Sequence, residues 1–273
     1  MKKKVRTFLF VIVFFAGLSL LLYPFVANQW NNYRQTRLIR HYETALEEME
    51  AEDFTAEWEK ARAFNDRMED TEYWNILNIM GDGVMGYLSI PKINVQLSIY
   101  HGVEDDVLQT GIGHLDGTNL PIGGESTHCV LAAHRGLPRA RLFTDVDQLE
   151  KGDKFYIHVL DQVLAYEVDQ ILPMVEKDDY ETLVDALKIE EGKDQVTLFT
   201  CTPYGVNSHR LLVRGSRVPY TGEEAMQSLP QAMVKTVQND YMLYLMSGLA
   251  VTVLGILIMK VLFGRRRRRY DGK

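Results

Sequence analysis

The sequence predicts a mainly β domain closed into a barrel, preceded by helices and bracketed by two membrane-spanning helices. Three features carry that reading. Two long apolar runs lie near the ends, apolar residues recur at spacings of three and four between 30 and 68, and short alternating runs punctuated by Gly and Pro begin after Gly81.

The first run, Phe8 to Ala27, holds 20 residues without a charge, and the second, Tyr241 to Phe263, holds 23 interrupted only by Lys260. Each is long enough to cross a hydrocarbon core of ~30 Å as a helix, and Lys260 can snorkel to the interface. Lys2, Lys3, Lys4 and Arg6 precede the first run, and Arg265 to Arg269 follow the second. Basic residues stay on the cytoplasmic side, so both termini are expected in the cytoplasm and the chain between the runs outside the cell. Phe25-Val26-Ala27 fits a small-x-small cleavage pattern poorly and the run exceeds a signal peptide's usual apolar length of roughly 7–15 residues, so the first run reads as an uncleaved anchor. The organisation that follows is a basic terminus over 1–7, a span over 8–27, an extracellular helical segment over 28–80, a β-barrel over 81–220, a connector over 221–240, a span over 241–263 and a basic tail over 264–273.

Charge excludes one function class. Between 28 and 240 there are 19 basic against 36 acidic residues, a net −17 where the whole chain carries −7. Such a surface is expected to repel nucleic acid and anionic lipid, and five arginines directly behind an apolar helix act as a stop signal instead of a nucleic-acid patch.

Within the helical segment, Trp30, Tyr33, Arg37, Ile39, Tyr42, Leu46 and Met49, then Phe54, Trp58, Ala61, Phe64 and Met68, predict two amphipathic helices broken around Asp53. Strands are expected at Met85 to Ile90, Val95 to Tyr100, Cys129 to Ala133, a hairpin over Lys154 to Val168 about Asp161-Gln162, Val196 to Thr200 and Leu211 to Val213. One helix is expected at Tyr180 to Leu187. Short strands separated by turn signals favour a closed barrel.

The chain has two cysteines, Cys129 and Cys201. Cys201 ends an apolar run just before Thr202-Pro203-Tyr204-Gly205, so it is expected at a rim where a loop begins and not sunk in the core. Arg210 opens the returning strand nine residues later, and a guanidinium there could favour a thiolate or hold an oxyanion. His134 ends another strand and opens Arg135-Gly136-Leu137-Pro138, a placement suited to a general acid. Spacing alone leaves a second reading open, a buried cysteine beside a surface arginine and a satisfied surface histidine. A zinc site from His128, His134 and either cysteine matches no structural zinc spacing. Cys129 lies five residues before His134, so a strand would turn it to the opposite face, into the core.

Thr197 to Gly215, TLFTCTPYGVNSHRLLVRG, closely resembles the segment around the catalytic cysteine of class C, pilus-assembling sortases. Leu131 to Pro138 resembles the same family's catalytic-histidine segment, and Met85 to Ile93 its entry strand. Gly111 to Leu115 and Leu120-Pro121 also fit, so the likeness covers about 81 to 219. The resemblance implies a sortase-type barrel and a membrane-anchored cysteine transpeptidase acting through Cys201, His134 and Arg210. It implies LPXTG-like sorting signals as substrates, a pilin lysine as acceptor, and no metal or organic cofactor. One departure stands out. Class C relatives commonly carry an Asp-Pro-aromatic lid, and Glu69 to Met80 has no Asp-Pro pair, so an open or minimally gated site is expected with Trp74 in packing. Attachment of proteins to peptidoglycan, or a non-enzymatic surface binding module, are the alternatives.

Overall fold

The computed structural model describes residues 2–68, 70–222 and Gly248. Apart from Gly248, the second apolar run, the arginines behind it and the connector from residue 223 lie outside the described residues. A compact unit beginning at Ala27 holds the barrel, and Met1–Val26 belongs to a separate one. Helix α1 runs Lys2–Glu47, and its apolar part, with a mean hydropathy of 2.5 over the best window, is long and apolar enough to cross a membrane. Helix α2 spans Ala51–Arg67, and a 3-10 turn covers Asp70–Asn75. Then come β1 Val84–Ile90, β2 Val95–His101, the single-turn α3 Asp105–Leu108, β3 Ile112–His114 and β4 Thr127–Ala132. They are followed by β5 Lys154–Val159, β6 Gln162–Glu176, α4 Tyr180–Leu187, β7 Asp194–Thr202 and β8 His209–Val218.

The eight strands close in the order β1-β2-β3-β4-β7-β8-β6-β5, with β5 returning to β1. The expected mainly β closed barrel is therefore the fold. Two joints are parallel, β2 with β3 and β4 with β7, and the others are antiparallel. Alternation aims one set of side chains inward. Phe155, Ile157 and Val159 of β5 are all fully buried, beside Leu88 and Ile90 of β1, Leu131 of β4, Leu198 of β7 and Val213 of β8. Gly86 sits where β1 bulges, and a Cβ there would meet the His158 carbonyl at 2.3 Å, a backbone approach that needs glycine.

The helices differ from expectation in two ways. The break falls at Glu48–Glu50, not at Asp53, because Asp53 lies in the first turn of α2. Its carboxylate accepts the Glu50 N–H at 3.1 Å in a capping box. The inward face of α1 also carries amides where aromatic residues were expected. Asn31 and Gln35 are buried with Ile39 and Tyr42, whereas Trp30 and Tyr33 are exposed. Gln35 explains the choice, since its Nε2 donates to Thr110 O at 2.7 Å and its Oε1 accepts from Ser98 N at 2.9 Å. Lower on the same face, the Tyr42 hydroxyl donates to Met85 O and accepts from Leu160 N at 2.9 Å. Helix α2 inserts Trp58 and Ala61 into the core, and the Trp58 indole donates to Asp161 at 2.7 Å.

Trp74 packs on one side only, against the rings of Tyr73 and His101. It is 50% exposed, and the neighbouring Tyr73 is the buried ring. The Tyr73 hydroxyl meets His114 Nδ1 at 2.8 Å and accepts the Gly102 N–H at 2.8 Å, fixing the 3-10 turn against β2 and β3.

Three histidines are structural. His101 sits between Gly83 O and Ile76 O and its neutral ring donates to one of them, His114 bridges Tyr73 and Asn119 O, and His128 bridges Thr197 and Lys188 O. Burial disfavours their charged forms and lowers all three pKa values, that of His114 to about 4. A histidine depressed in the folded state is protonated first in the unfolded chain. Its stabilisation is complete above the unfolded value of ~6.5 and falls away as pH drops toward the folded value, by at most ~1.4 kcal/mol per pH unit per proton. The thermal midpoint of the detergent-solubilised chain should therefore fall from pH 7 to pH 5, and a constant or rising midpoint would contradict this.

Candidate active site

Strands β4 and β7 pair in parallel from Thr127↔Asp194 to Ala132↔Phe199. The pairing continues past the end of β4, where Ala133 N donates to Phe199 O at 3.2 Å and Thr200 Oγ1 donates to Ala133 O at 2.7 Å. One further step of the same register sets His134 level with Cys201. On the other side β7 pairs antiparallel with β8, and Cys201 lies directly opposite Arg210. Neighbouring strands are ~4.8 Å apart, so three chemically distinct side chains form one row across three strands.

Alternation decides which way the row faces. Cys129 and Leu131 of β4, Val196 and Leu198 of β7, and Leu211 and Val213 of β8 all belong to the core. His134, Cys201 and Arg210 have the opposite parity and stand on the outer wall, each partly exposed. The thiol is thus on the wall within β7, one residue before its end, and not on a rim beyond the strand.

Each member has its own support. His134 is a third exposed, with Nε2 3.9 Å from the Asp105 carboxylate on α3. Arg210 donates through Nη1 to His209 O at 3.2 Å and Asn207 O at 3.4 Å, resting the guanidinium on the turn between β7 and β8. Arg135 binds the parts together. Its Nε donates to Thr144 O at 3.1 Å, its Nη1 to Thr202 Oγ1 at 3.1 Å, and its Nη2 to Asp147. The side chain after His134 therefore holds the residue after Cys201. Gly136 has φ +82°, and a Cβ there would sit 3.4 Å from Gly205 N and from the Tyr204 ring, which keeps the two loops in contact.

Sequence reasoning missed Arg135 and Asp105. Arg135 had a readable signal, a cation beside His134 in the same short segment, but its partners lie nine to 67 residues away. Asp105 had none. Cys129 lies in the core, where burial pushes its thiol up. His128 is held by Thr197 and Lys188 O, so it does not converge with His134 and Cys201. Among the described residues no group of three or more His, Cys, Asp or Glu is arranged to hold a metal ion.

A thiol, an imidazole and a guanidinium at one point on a strand wall are the groups that acyl transfer through a thioester needs. Phe199 and Leu212 continue the row one step along the wall, and beyond Val175 on β6 the exposed Met174 and then Tyr180 and Val184 of α4 add apolar surface nearby in the chain. A thiol reagent should modify one cysteine in the native chain and both in denaturant. Cys201→Ala should abolish native labelling, and labelling that persists in that variant would overturn the assignment of faces.

Comparison with known proteins identifies the family and the fold. The sortase-domain family model matches residues 88–218. The chain is similar to sortase C1 from Streptococcus agalactiae, with 45% identity over 67% of this chain and 99% of that one and a TM-score of 0.64. It is also similar to a Streptococcus pneumoniae sortase C, with 45% identity over 67% and 97% of the two chains and a TM-score of 0.61. Sortase D of Bacillus subtilis is 32% identical over 136 residues, which take in 49% of this chain and 63% of that protein. The wall carrying His134, Cys201 and Arg210 lies wholly inside the matched region, and the chain belongs to the sortase family.

Proposed function

We propose that this chain is a membrane-anchored cysteine transpeptidase that cleaves an LPXTG-like sorting signal and transfers the acyl group to an amine, the side chain of a pilin lysine. One observation supports the reading: Cys201 faces Arg210 across β7 and β8, and the β4–β7 register, continued past the end of β4, sets His134 beside them. Family membership supports the chemistry, and the pilin acceptor rests on likeness to class C enzymes, among them the Streptococcus pneumoniae structure described in terms of pilin substrate specificity.

In this mechanism Cys201, as thiolate, attacks the carbonyl carbon of the threonine-like residue and a C–S bond forms. Arg210 leaves its loop carbonyls and donates to the tetrahedral oxyanion. His134 gives its proton to the departing amine as the peptide C–N bond breaks. The acceptor amine then attacks the thioester, the new C–N bond forms, His134 recovers a proton, and Cys201 is released as thiolate. Arg135 takes no part in the transfers and keeps the two loops at a fixed separation. No metal or organic cofactor enters any step.

The anchor is the apolar part of α1. The second span at 241–263, cytoplasmic placement of both termini and an outward-facing barrel complete the proposed topology. The site is open or minimally gated, since Tyr73 and Trp74 pack at β2 and β3, whereas the thiol row crosses β4, β7 and β8.

Intact-mass analysis of the full chain in detergent with an LPXTG peptide tests this proposal. Wild type should gain the mass of the peptide less its C-terminal fragment, and Cys201→Ala should gain nothing. Arg210→Ala should slow acylation by about 10²–10³-fold. Adding a pilin lysine peptide and a cell-wall amine together should yield mainly the lysine product. No adduct across several sorting peptides would reopen the binding-module reading, and preference for the cell-wall amine would reassign the acceptor.

A further inference from the structure

The outer face of α1, just past its apolar run, carries a feature that transpeptidation does not use. The inner face is fully engaged, with Asn28 accepting Arg141 N at 3.0 Å and Asn31, Gln35, Ile39 and Tyr42 buried. On the opposite face stand Trp30 and Tyr33, 64% and 59% exposed, their rings 5.9 Å apart. Arg34, Arg37, Arg40 and His41 are exposed beside them. At 3.6 residues per turn these six positions fall within an arc of about 120°. Acidic residues return directly afterwards, at Glu43, Glu47 and Glu48.

This stripe inverts the sign of its surroundings. The segment from 28 to 240 carries −17, yet here three arginines share one face of three helical turns with no acidic residue between 28 and 42. Among the described residues none of the three forms an ion pair, so no local carboxylate explains them. A strongly acidic domain that gathers guanidiniums on one strip presents them to something anionic.

Chain position says what that is. Trp30 and Tyr33 come three and six residues after Ala27, where the apolar run ends. Even fully extended, that is no more than about 10 and 20 Å of chain, so both rings are within reach of the headgroup layer. Aromatic rings first and guanidiniums next is the order in which a membrane interface offers partners, amphipathic headgroup level and then phosphate.

We propose that the stripe Trp30, Tyr33, Arg34, Arg37 and Arg40 rests on anionic lipid headgroups of the outer leaflet. The contact ties the start of the catalytic unit to the bilayer surface by more than its anchor. The proposal rests on reading residues 8–27 as an uncleaved span with the barrel outside the cell.

The test uses the full chain in vesicles whose phospholipids carry bromine close to the headgroup. Trp30→Phe, at an exposed position, isolates the Trp30 signal by difference, and resistance to carbonate extraction reports the span separately. In phosphatidylglycerol-containing vesicles Trp30 should be strongly quenched. Quenching should fall by about half or more in neutral lipid, in ~1 M salt, or in the Arg34→Gln, Arg37→Gln, Arg40→Gln triple variant, all with the protein still membrane-bound. A chain that resists extraction but leaves Trp30 unquenched would overturn the stripe alone, placing it in water or against a protein. Equal quenching in neutral and anionic vesicles would overturn the role of the arginines. Release by carbonate would overturn the span reading and the stripe together.

Discussion

The parallel pairing of β4 with β7 is the constraint on which the site depends. Parallel neighbours need a long crossover, and here β5, β6 and α4 all intervene between them. The pairing has one register, and a slip of one residue would turn every inward side chain of a strand outward. With Leu131 and Leu198 fully buried, such a slip would expose the core, so hydrophobic burial fixes the register that sets His134 beside Cys201. The Arg210 side of the row is cheaper to build, because a short turn joins β7 to β8 and local antiparallel pairing does the rest. Packing thus determines the geometry of the chemistry, and Arg135 adds a polar tie at the one place where the ladder stops.

The rest of the molecule keeps that wall rigid from behind. Trp58 and Ala61 of α2 reach the core, and Tyr42 bonds to β1 and to the β5–β6 turn. Tyr73 with His114 closes the side at β2 and β3. The two Tyr42 contacts are hydrogen bonds between a side chain and buried backbone groups of the barrel. Burying such groups without partners would cost about 1–3 kcal/mol each, so the helices both cover the core and satisfy its edges.

Much of this architecture was legible in the sequence, for physical reasons that also mark where legibility stopped. Strands such as Lys154–Val159 announce themselves because alternation and burial share a period of two. Helix α4 begins behind Asp179, whose side chain accepts the Thr182 N–H, a local signal. Strand β3, with three residues, is too short to show alternation and exists through its neighbours. The inner face of α1 was misjudged because hydrophobicity was taken as the marker of burial, whereas Asn31 and Gln35 are buried by their partners and Trp30 and Tyr33 are not. Cys201 and Arg210 could be placed together from a turn and nine residues. His134 could not, since no local pattern encodes a register 67 residues away, and only the family resemblance brought it to the others.

Register can be measured directly. Facing residues on adjacent strands lie within the span a disulfide bridges, whereas residues two positions apart do not. In a His134→Cys variant the new thiol should form an intramolecular disulfide with Cys201 under mild oxidation, and in Ala132→Cys it should not. Cross-linking at both positions, or at 132 alone, would contradict the register and with it the account of how this wall becomes a catalytic site.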